Sequence, residues 1–441
     1  MRRHNIVALF LWMLLGFNFL CGYQASAGEK DFLFGIETHF RRLWWEDGAF
    51  GVVSEQNTKE NYQENYQIFM DLIDELGVNM IRDGHRFIDL MPDKGDHKSL
   101  DATNMGYMTQ LLGDLKSRDI TLDWVILDAP KWARNKSLDE NGEYKYGNGY
   151  FTPPIAAYWE DFLKKTAQES EEYDANIIME LWNEPDLNEA DIGKKQFWSG
   201  TTSDYLDILS AGALSIKDVS SSFRVINGGL TIDTKNSDFY DAFKPMLEDG
   251  TIDYVAIHSH GDIDTLHSKY KLNVPSSEIE PGKILLNESG DYATELEQAE
   301  QAKNTAGKAI YALANGFRGY SLYYLGGVNS TKNDDLNESA KAGSYYFMLD
   351  DNLEKRQSFY AYKTVIEMLR GAVIKEKIHE DIGRYEYLFS KPQTGEEIYV
   401  AIGGDPDLEK IKSSLGGRDY ERYDMLGDLG NSAKDIQYFV T

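Results

Sequence analysis

The chain has 441 residues, 42% of them hydrophobic, which is enough for one large domain and a smaller one. It carries 73 acidic and 45 basic residues and a formal net charge of −28 at pH 7. Such acidity disfavours nucleic acids and other polyanions as partners by simple repulsion, although it could also serve only solubility. The single cysteine, Cys21, excludes a scaffold held together by disulfides.

The first 27 residues have the features of a secretory signal peptide. Arg2 and Arg3 precede the almost wholly apolar stretch 6–20, which is short for a membrane span. Ala25-Ser26-Ala27 matches a small-residue cleavage site, so we expect the mature chain to begin at residue 28. The protein is then secreted or periplasmic, with no membrane span in the mature chain. An uncleaved N-terminal anchor is the alternative.

Eight apolar runs in the mature chain have the continuous pattern of strands that are buried on both faces. They are 32–36, 78–82, 121–127, 177–182, 224–228, 254–258, 284–288 and 319–324. Amphipathic stretches at 61–76, 105–117, 155–172, 203–219, 295–315 and 357–370 predict helices between and after them. The alternation predicts a (β/α)8 TIM barrel. An open doubly wound sheet is the alternative, but no glycine-rich phosphate loop follows an early strand.

The pattern changes after Gly371. Segments 384–388, 397–402 and 437–440 read as strands separated by turn residues. We therefore predict that the (β/α)8 barrel covers 28–371 and that a small β-rich appendage covers 372–441. About seventy residues would be marginally stable alone, so the appendage is expected to pack on the barrel.

Two predicted strands end in glutamate. The fourth closes at Asn183-Glu184-Pro185, and the seventh closes at Glu288. Strand ends of a barrel meet at its C-terminal rim, which brings the two carboxyl groups to one cavity. Hydrolysis of a glycosidic bond needs one protonated carboxyl and one ionised carboxylate, about 5 Å apart in a retaining enzyme. The alternative is a pair of structural rim carboxylates.

Several segments resemble one group of enzymes. Trp182-Asn183-Glu184-Pro185 is similar to the acid/base strand of the clan A glycoside hydrolases, which are retaining (β/α)8 enzymes. Pro130-Lys131-Trp132-Ala133, Phe197-Trp198, Tyr205, Ile216-Lys217 and 225–229 follow the order of their family 39-like branch. The resemblance covers about residues 32–370.

The resemblance implies a role for each matching residue. Glu184 is the general acid/base, Glu288 is the nucleophile, and Asn183 binds the sugar hydroxyl next to the reacting carbon. Arg82, at the end of strand two, keeps the nucleophile ionised, although a rim ion pair with Asp83 is the alternative.

Strand six departs from the family pattern of His, any residue, Tyr. His258 matches, but His260 stands where the tyrosine that touches the nucleophile is expected. The imidazole either replaces the phenol or binds substrate. The two histidines would lie on one face of a strand, which also suggests a metal site, but a zinc site needs a third ligand.

Further substrate contacts are expected around the same rim. Asp128, at the end of strand three, either binds a sugar hydroxyl or caps a turn, and Trp132 is expected to contact the sugar. Strand eight offers Tyr323 or Tyr324 as a stacking surface where relatives have a tryptophan. Trp44, after strand one, is equally compatible with a sugar platform and with the core.

The sequence therefore predicts a secreted retaining glycoside hydrolase that needs no cofactor and no metal and whose partner is a carbohydrate. A bacterial exopolysaccharide is the substrate we favour. A non-catalytic carbohydrate-binding barrel is the second reading. A metal-dependent barrel enzyme is the third, but the sequence lacks clustered carboxylate ligands for it.

Overall fold

A computed structural model describes residues 31–38, 40, 62–92, 99–135, 152–187, 197–233, 237–291, 293, 297–326, 346–350, 353–429 and 435–441. Its central sheet contains nine parallel strands: β1 (Leu33–Glu37), β2 (Met80–Asp83), β3 (Thr121–Ile126), β4 (Ile177–Leu181), β5 (Arg224–Asn227), β6 (Leu230–Thr231), β7 (Val255–His258), β8 (Ile284–Ser289) and β9 (Gly319–Leu322). The strand order is β5-β4-β3-β2-β1-β9-β8-β7-β6. Ile226 bridges Tyr254 in parallel and so joins the two ends of the sheet.

The sheet is the predicted barrel. β5 and β6 are two parts of one barrel strand, interrupted by Gly228 and Gly229. The eight predicted strands are therefore all present, each within three residues of its expected ends. The fold class predicted from the sequence, a TIM barrel with a β-rich appendage, is confirmed.

Helices alternate with the strands along the chain. In the described chain they are α1 (Tyr62–Leu76), α2 (Phe87–Leu90), α3 (Ala102–Arg118), α4 (Ala156–Glu171), α5 (Thr202–Val219), α6 (Ser237–Glu248), α7 (Ile263–Asn273), α8 (Gln298–Ala314), α9 (Gln357–Leu369) and α10 (Leu408–Ser414). The six predicted helices are confirmed, whereas α2, α6, α7 and α10 were not predicted. None of the helices in these described residues is both long enough and apolar enough to cross a membrane.

Helix α5 shows how an outer helix fixes the rim. It begins at a capping box, in which the Thr201 side chain accepts from Asp204 N and the Asp204 side chain accepts from Thr201 N. Its buried face carries Tyr205, whose hydroxyl donates to Leu181 O at 2.9 Å and accepts from Gly228 N at 2.7 Å. One phenol therefore joins the C-terminal ends of β4 and β5, just where Glu184 follows.

The barrel interior has an apolar part and a polar part. Leu33, Met80, Ile178, Ile226, Tyr254, Ala256 and Leu285 form a buried cluster near the start of the strands. Side chains two positions further along a strand point the same way, so Arg82, Glu180 and Asn287 follow above this cluster. Asp123 joins them, and its Oδ2 accepts from Asn287 Nδ2 at 3.0 Å. The C-terminal rim of the barrel thus rests on a buried polar layer.

The last part of the chain forms an antiparallel sheet of five strands in the order β10-β11-β12-β14-β13: β10 (Val373–Asp381), β11 (Arg384–Ser390), β12 (Glu397–Ile402), β13 (Glu421–Asp424) and β14 (Ile436–Val440). Helix α10 packs on it through Ile411 and Leu415. Asp264, near the start of α7, accepts hydrogen bonds from Gly383 N and Tyr385 OH at 2.9 and 2.6 Å. The barrel and this sheet belong to one compact unit, Leu33–Thr441, so the division at 371/372 stays a prediction.

Candidate active site

The chain turns sharply after β4. Trp182 has φ 87° and Glu184 has φ 43°, which non-glycine residues adopt only where surrounding contacts hold them. The Trp182 indole N–H donates to Phe197 O at 2.7 Å, and Glu184 N donates to Gly229 O at 3.1 Å. These contacts hold the corner and direct the Glu184 carboxyl into the barrel mouth.

Glu184 and Glu288 converge on one cleft. A carboxylate oxygen of Glu184 lies within 4.8 Å of one of Glu288, and both residues line a cavity of about 330 Å³. Retaining glycosidases need a separation of about 5 Å, whereas inverting enzymes need several ångströms more for an intervening water. The separation therefore suits direct attack by one carboxylate and proton transfer by the other.

Arg82 is almost completely buried beneath this pair, with 2% of its surface exposed. Its Nη1 donates to Glu288 Oε2 at 2.7 Å and to Glu37 Oε2 at 3.0 Å. Its Nε and Nη2 form a bidentate ion pair with Glu180, at 2.7 and 3.1 Å. Nη2 also donates to Asn183 Oδ1 at 2.7 Å. One guanidinium thus orients four side chains from three different strands and the corner after β4.

The Glu288 carboxyl is held in its ionised form. Burial alone would raise its pKa, but the positive charges of His258 and Arg82 and the hydrogen bond from His260 outweigh burial. The net effect holds the pKa of Glu288 well below its usual range. Glu288 is therefore an anion at any pH near neutrality, as a nucleophile must be.

His258 lies between the two glutamates. Its Nδ1 is 2.9 Å from Glu184 Oε1 and 3.7 Å from Glu288 Oε2. Burial alone would lower the pKa of His258, but the Glu288 charge and the Glu184 hydrogen bond and charge raise it to about 9. The imidazole is therefore a cation at neutral pH and donates to Glu184.

His260 contacts Glu288 directly, with its Nε2 3.2 Å from Oε1. The imidazole thus occupies the position in which the family pattern has a tyrosine hydroxyl. Its ring also packs edge-on against Tyr323 and is tilted against Tyr346, with centroids 5.7 and 5.5 Å away. This contact is the one expected if the imidazole replaces the phenol, and a contact of His260 with substrate stays a prediction.

Of the remaining residues expected at the rim, Asp128 and Tyr323 line the cleft, whereas Tyr324 does not. Asp128 lines the cleft, and its Oδ2 accepts from Arg86 Nη1 at 3.0 Å. Tyr323 lines the cleft as well, whereas Tyr324 is buried and packs edge-on against Phe347. Tyr323 is thus the member of the pair that faces the cavity.

The family model described as Cellulase (glycosyl hydrolase family 5) matches residues 26–264, which is more than half of the sequence. The chain belongs to this glycoside hydrolase family. The membership of clan A inferred from the sequence is confirmed, and the enzyme is a glycoside hydrolase. No curated protein matches the sequence.

Solved structures with the same fold come from several bacteria. A family 39 glycoside hydrolase from the gut symbiont Bacteroides cellulosilyticus WH2 is 18% identical, with a TM-score of 0.61 over 95% of this chain and 82% of that one. A glucosidase from Croceicoccus marinus is 12% identical, with a TM-score of 0.54 over 93% and 99%. A GH5_18 protein from Bifidobacterium longum subsp. longum, solved with Manβ1-4GlcNAc, is 14% identical, with a TM-score of 0.53 over 76% and 78%. At these identities the likeness concerns the fold.

One described residue expected at the cleft of this hydrolase, Trp132, is not among the residues that line the cavity. Trp132 is half-buried away from the cavity, because its indole donates to Pro92 O at 3.1 Å and its ring packs on Phe87 and Tyr158. These contacts give Trp132 a packing role, and its expected contact with the sugar stays a prediction. Trp44 lies outside the described residues, and its role stays a prediction.

Sequence reasoning missed three acidic residues of the hydrolase site. Glu180 lies one position before the end of β4 and forms the ion pair with Arg82. Burial raises the pKa of Asp123 to about 8, and it raises the pKa of Glu37 to about 8 despite the opposing charge of Arg82. Both are therefore largely protonated at neutral pH. Glu37 ends β1, and this position could have marked it as a rim residue. Glu180 and Asp123 lie inside apolar runs, which gave no such signal.

The same geometry bears on metal binding. Glu184, His258 and Glu288 are the group of ligand-type side chains that converges within 4.8 Å in the described residues. However, Glu288 Oε2 already accepts from the Arg82 guanidinium, and the protonated His258 Nδ1 donates to Glu184. A cation beside a buried arginine and an imidazolium would be repelled. The donor set suits a hydrogen-bonded carboxylate pair better than a metal ion.

Proposed function

We propose that this glycoside hydrolase retains anomeric configuration, with Glu288 as nucleophile and Glu184 as general acid/base. The observation that carries the proposal is the separation of the two carboxylates, within 4.8 Å, combined with the anionic state of Glu288. A non-catalytic sugar-binding barrel would not need to hold one of two adjacent carboxyls ionised.

The reaction takes two displacements. Glu288 attacks the anomeric carbon, the bond to the leaving oxygen breaks, and Glu184, which enters this step with its carboxyl protonated, gives that oxygen its proton. Glu184 then removes a proton from water, which attacks the anomeric carbon and releases Glu288. Arg82 donates to Asn183 Oδ1 and so fixes the orientation of the amide. The Nδ2 group of Asn183 can then donate to the sugar hydroxyl next to the reacting carbon. No cofactor takes part in either step.

For the substrate we propose a poly- or oligosaccharide outside the cytoplasm, with the exopolysaccharide of the producing bacterium as the specific target. The signal-like segment 1–27 supports export to the periplasm or medium. The cleft residues Arg82 and Arg86 are both paired with carboxylates, which fits an uncharged glycan better than a highly anionic one. The test of this part is digestion of a panel of neutral and acidic glycans with product sizes measured.

The catalytic assignment is tested by trapping. An aryl β-glycoside that carries fluorine next to the anomeric carbon forms its glycosyl-enzyme quickly and loses it slowly. Mass spectrometry of a protease digest should then find the added sugar on Glu288. Glu288→Gln should gain no mass, and label on any other residue would remove Glu288 from the role of nucleophile.

A further inference from the structure

Lys308 is a buried charged residue that the mechanism above does not use. It lies in the middle of α8 and has no exposed surface. Burial lowers its pKa to about 8, and the charges of Asp291 and Asp262 oppose this shift. A buried amine is costly unless its hydrogen bonds are satisfied, so the partners of Nζ show what it contributes.

Both partners are backbone carbonyls at the active-site rim. Nζ donates to Gly261 O at 2.9 Å and to Gly290 O at 3.0 Å. Gly261 directly follows His260, and Gly290 lies two residues after Glu288. From its position on helix α8, Lys308 therefore binds the backbone of the two segments that carry His260 and Glu288.

The two segments are also bonded to each other. Gly261 N donates to Gly290 O at 2.9 Å, and Ser259 N donates to Glu288 O at 3.1 Å. The Ser289 hydroxyl donates to Ser259 O at 2.7 Å. Lys308 extends this set of hydrogen bonds. Gly290 O accepts from both Gly261 N and Lys308 Nζ, and Gly261 O accepts from Lys308 Nζ.

Glycine at both positions explains why an external clamp is useful. Gly261 has φ 101°, a conformation that side-chain-bearing residues rarely adopt. A Cβ at Gly290 would lie 2.7 Å from the Tyr346 ring and 2.9 Å from Tyr323 O. Neither residue can use a side chain to anchor its own segment, so the anchor has to come from a neighbouring element.

We propose that Lys308 is a positioning residue that sets the distance between His260 and the nucleophile Glu288 by fixing the backbone after both. The inference rests on the proposed function, because it concerns one of the contacts that keep Glu288 ionised. Misplacement of a catalytic group by about 1 Å is enough to lower turnover about 100-fold.

The test compares Lys308→Met with the wild-type enzyme. Methionine keeps the length and the apolar stem but donates no hydrogen bond. The kcat/KM should fall by about 10- to 100-fold. The acidic limb of its pH profile should move to higher pH, because the hydrogen bond from His260 that lowers the pKa of Glu288 is loosened while Arg82 and His258 remain. Lys303→Met is the matched control, since Lys303 lies on the same helix and pairs with Glu300.

A double-mutant cycle separates positioning from general support of the fold. In a His260→Ala background, Lys308→Met should cost less than about threefold, because the contact it protects is already gone. Ser289→Ala, which removes one bond of the same set, should shift the acidic limb in the same direction by a smaller amount. Circular dichroism and thermal unfolding check that each variant is folded.

The outcomes are distinguishable. Dinitrophenyl β-glucoside and β-xyloside, each fluorinated next to the anomeric carbon, serve as probes of the glycosyl-enzyme. Failure of both probes and of the whole glycan panel to react with the wild type would overturn the proposed function, and this inference with it. Label on Glu288 in the wild type, with equal labelling rate and pH dependence in Lys308→Met, would overturn the role of Lys308 alone. Equal effects of Lys308→Met with and without His260 would also overturn it.

Discussion

The Nε2 atom of His260 lies 3.2 Å from Oε1 of Glu288, while Arg82 Nη1 lies 2.7 Å from Oε2 of the same carboxylate. The proposed nucleophile is therefore held at both oxygens, and the residue that departs from the family pattern supplies one of the two contacts.

His260→Ala should raise the pKa of Glu288, because it removes a hydrogen bond and a neighbouring charge that lower it. Glu288 must be ionised to attack, so the acidic limb of the kcat/KM profile should move to higher pH. At neutral pH we expect a loss of about tenfold or more. His260→Tyr restores the family residue and should recover part of the loss. An acidic limb that stays in place in His260→Ala would contradict this role.

Glu184→Gln should lower kcat by about 10²- to 10⁴-fold on glycosides with poor leaving groups, because no proton reaches the departing oxygen. Substrates with dinitrophenolate as leaving group should lose much less in the first displacement. Azide needs no general base, so added azide should restore turnover and give a glycosyl azide of retained configuration, measured by NMR. Glu288→Gln is the control and should not respond to azide.

Tyr323→Ala and Tyr324→Ala should separate substrate binding from stability. Tyr323 faces the cleft, so its loss should raise KM by about five- to tenfold with little change in Tm. Tyr324 is 4% exposed, and its loss should destabilise the fold by about 3–5 kcal/mol. Kinetics and thermal unfolding of the two variants check the assignment. The reverse pattern would place Tyr324 at the sugar.

Asp123→Asn should change how stability depends on pH. The folded-state pKa of Asp123 is about 8 against an ordinary value of 3.8, so between these values the folded protein keeps a proton that the unfolded chain releases. This contribution to stability is full below about pH 4 and is lost as pH rises through about 8, by about 1.4 kcal/mol for each pKa unit. Asparagine cannot ionise.

The Asp123→Asn variant should therefore exceed the wild type in stability by much more near pH 9 than near pH 5, because most of the wild-type loss occurs between these two values. Denaturant unfolding at both pH values provides the measurement. Glu37→Gln is a parallel case, because the pKa of Glu37 is also raised to about 8. A difference between Asp123→Asn and wild type that is the same at both pH values would show that Asp123 is ionised in the fold.

The barrel strands were predictable because each is a short apolar run, and a barrel buries its strands on both faces. Helix α6 was missed because Pro245 lies inside it, and proline usually ends a helix. Strand β10 was missed because its sequence, VIKEKIHED, is highly charged and its side chains are mostly exposed at a sheet edge. Its stability comes from pairing with β11, which a single segment does not reveal.

The site was predictable where a motif ended a strand, as for Glu184, Glu288 and Arg82. Glu180 and Asp123 stand among apolar neighbours, and only the closed barrel shows that they surround Arg82. The contact of His260 with Glu288 required coordinates, since the sequence left two roles open. Trp132 shows another limit, because its motif does not reveal that the indole packs on Phe87 and Tyr158.

The interruption between β5 and β6 has a consequence for sequence change in this enzyme. A Cβ on Gly229 would lie 2.0 Å from His258 Nε2, and one on Gly228 would lie 2.5 Å from the Trp182 carbonyl carbon. Alanine at Gly229 would displace the His258 ring. Alanine at Gly228 would push the corner that carries Glu184 outward. Only glycine, which has no side-chain carbon, therefore fits at either position, and a search for active variants should leave both residues unchanged.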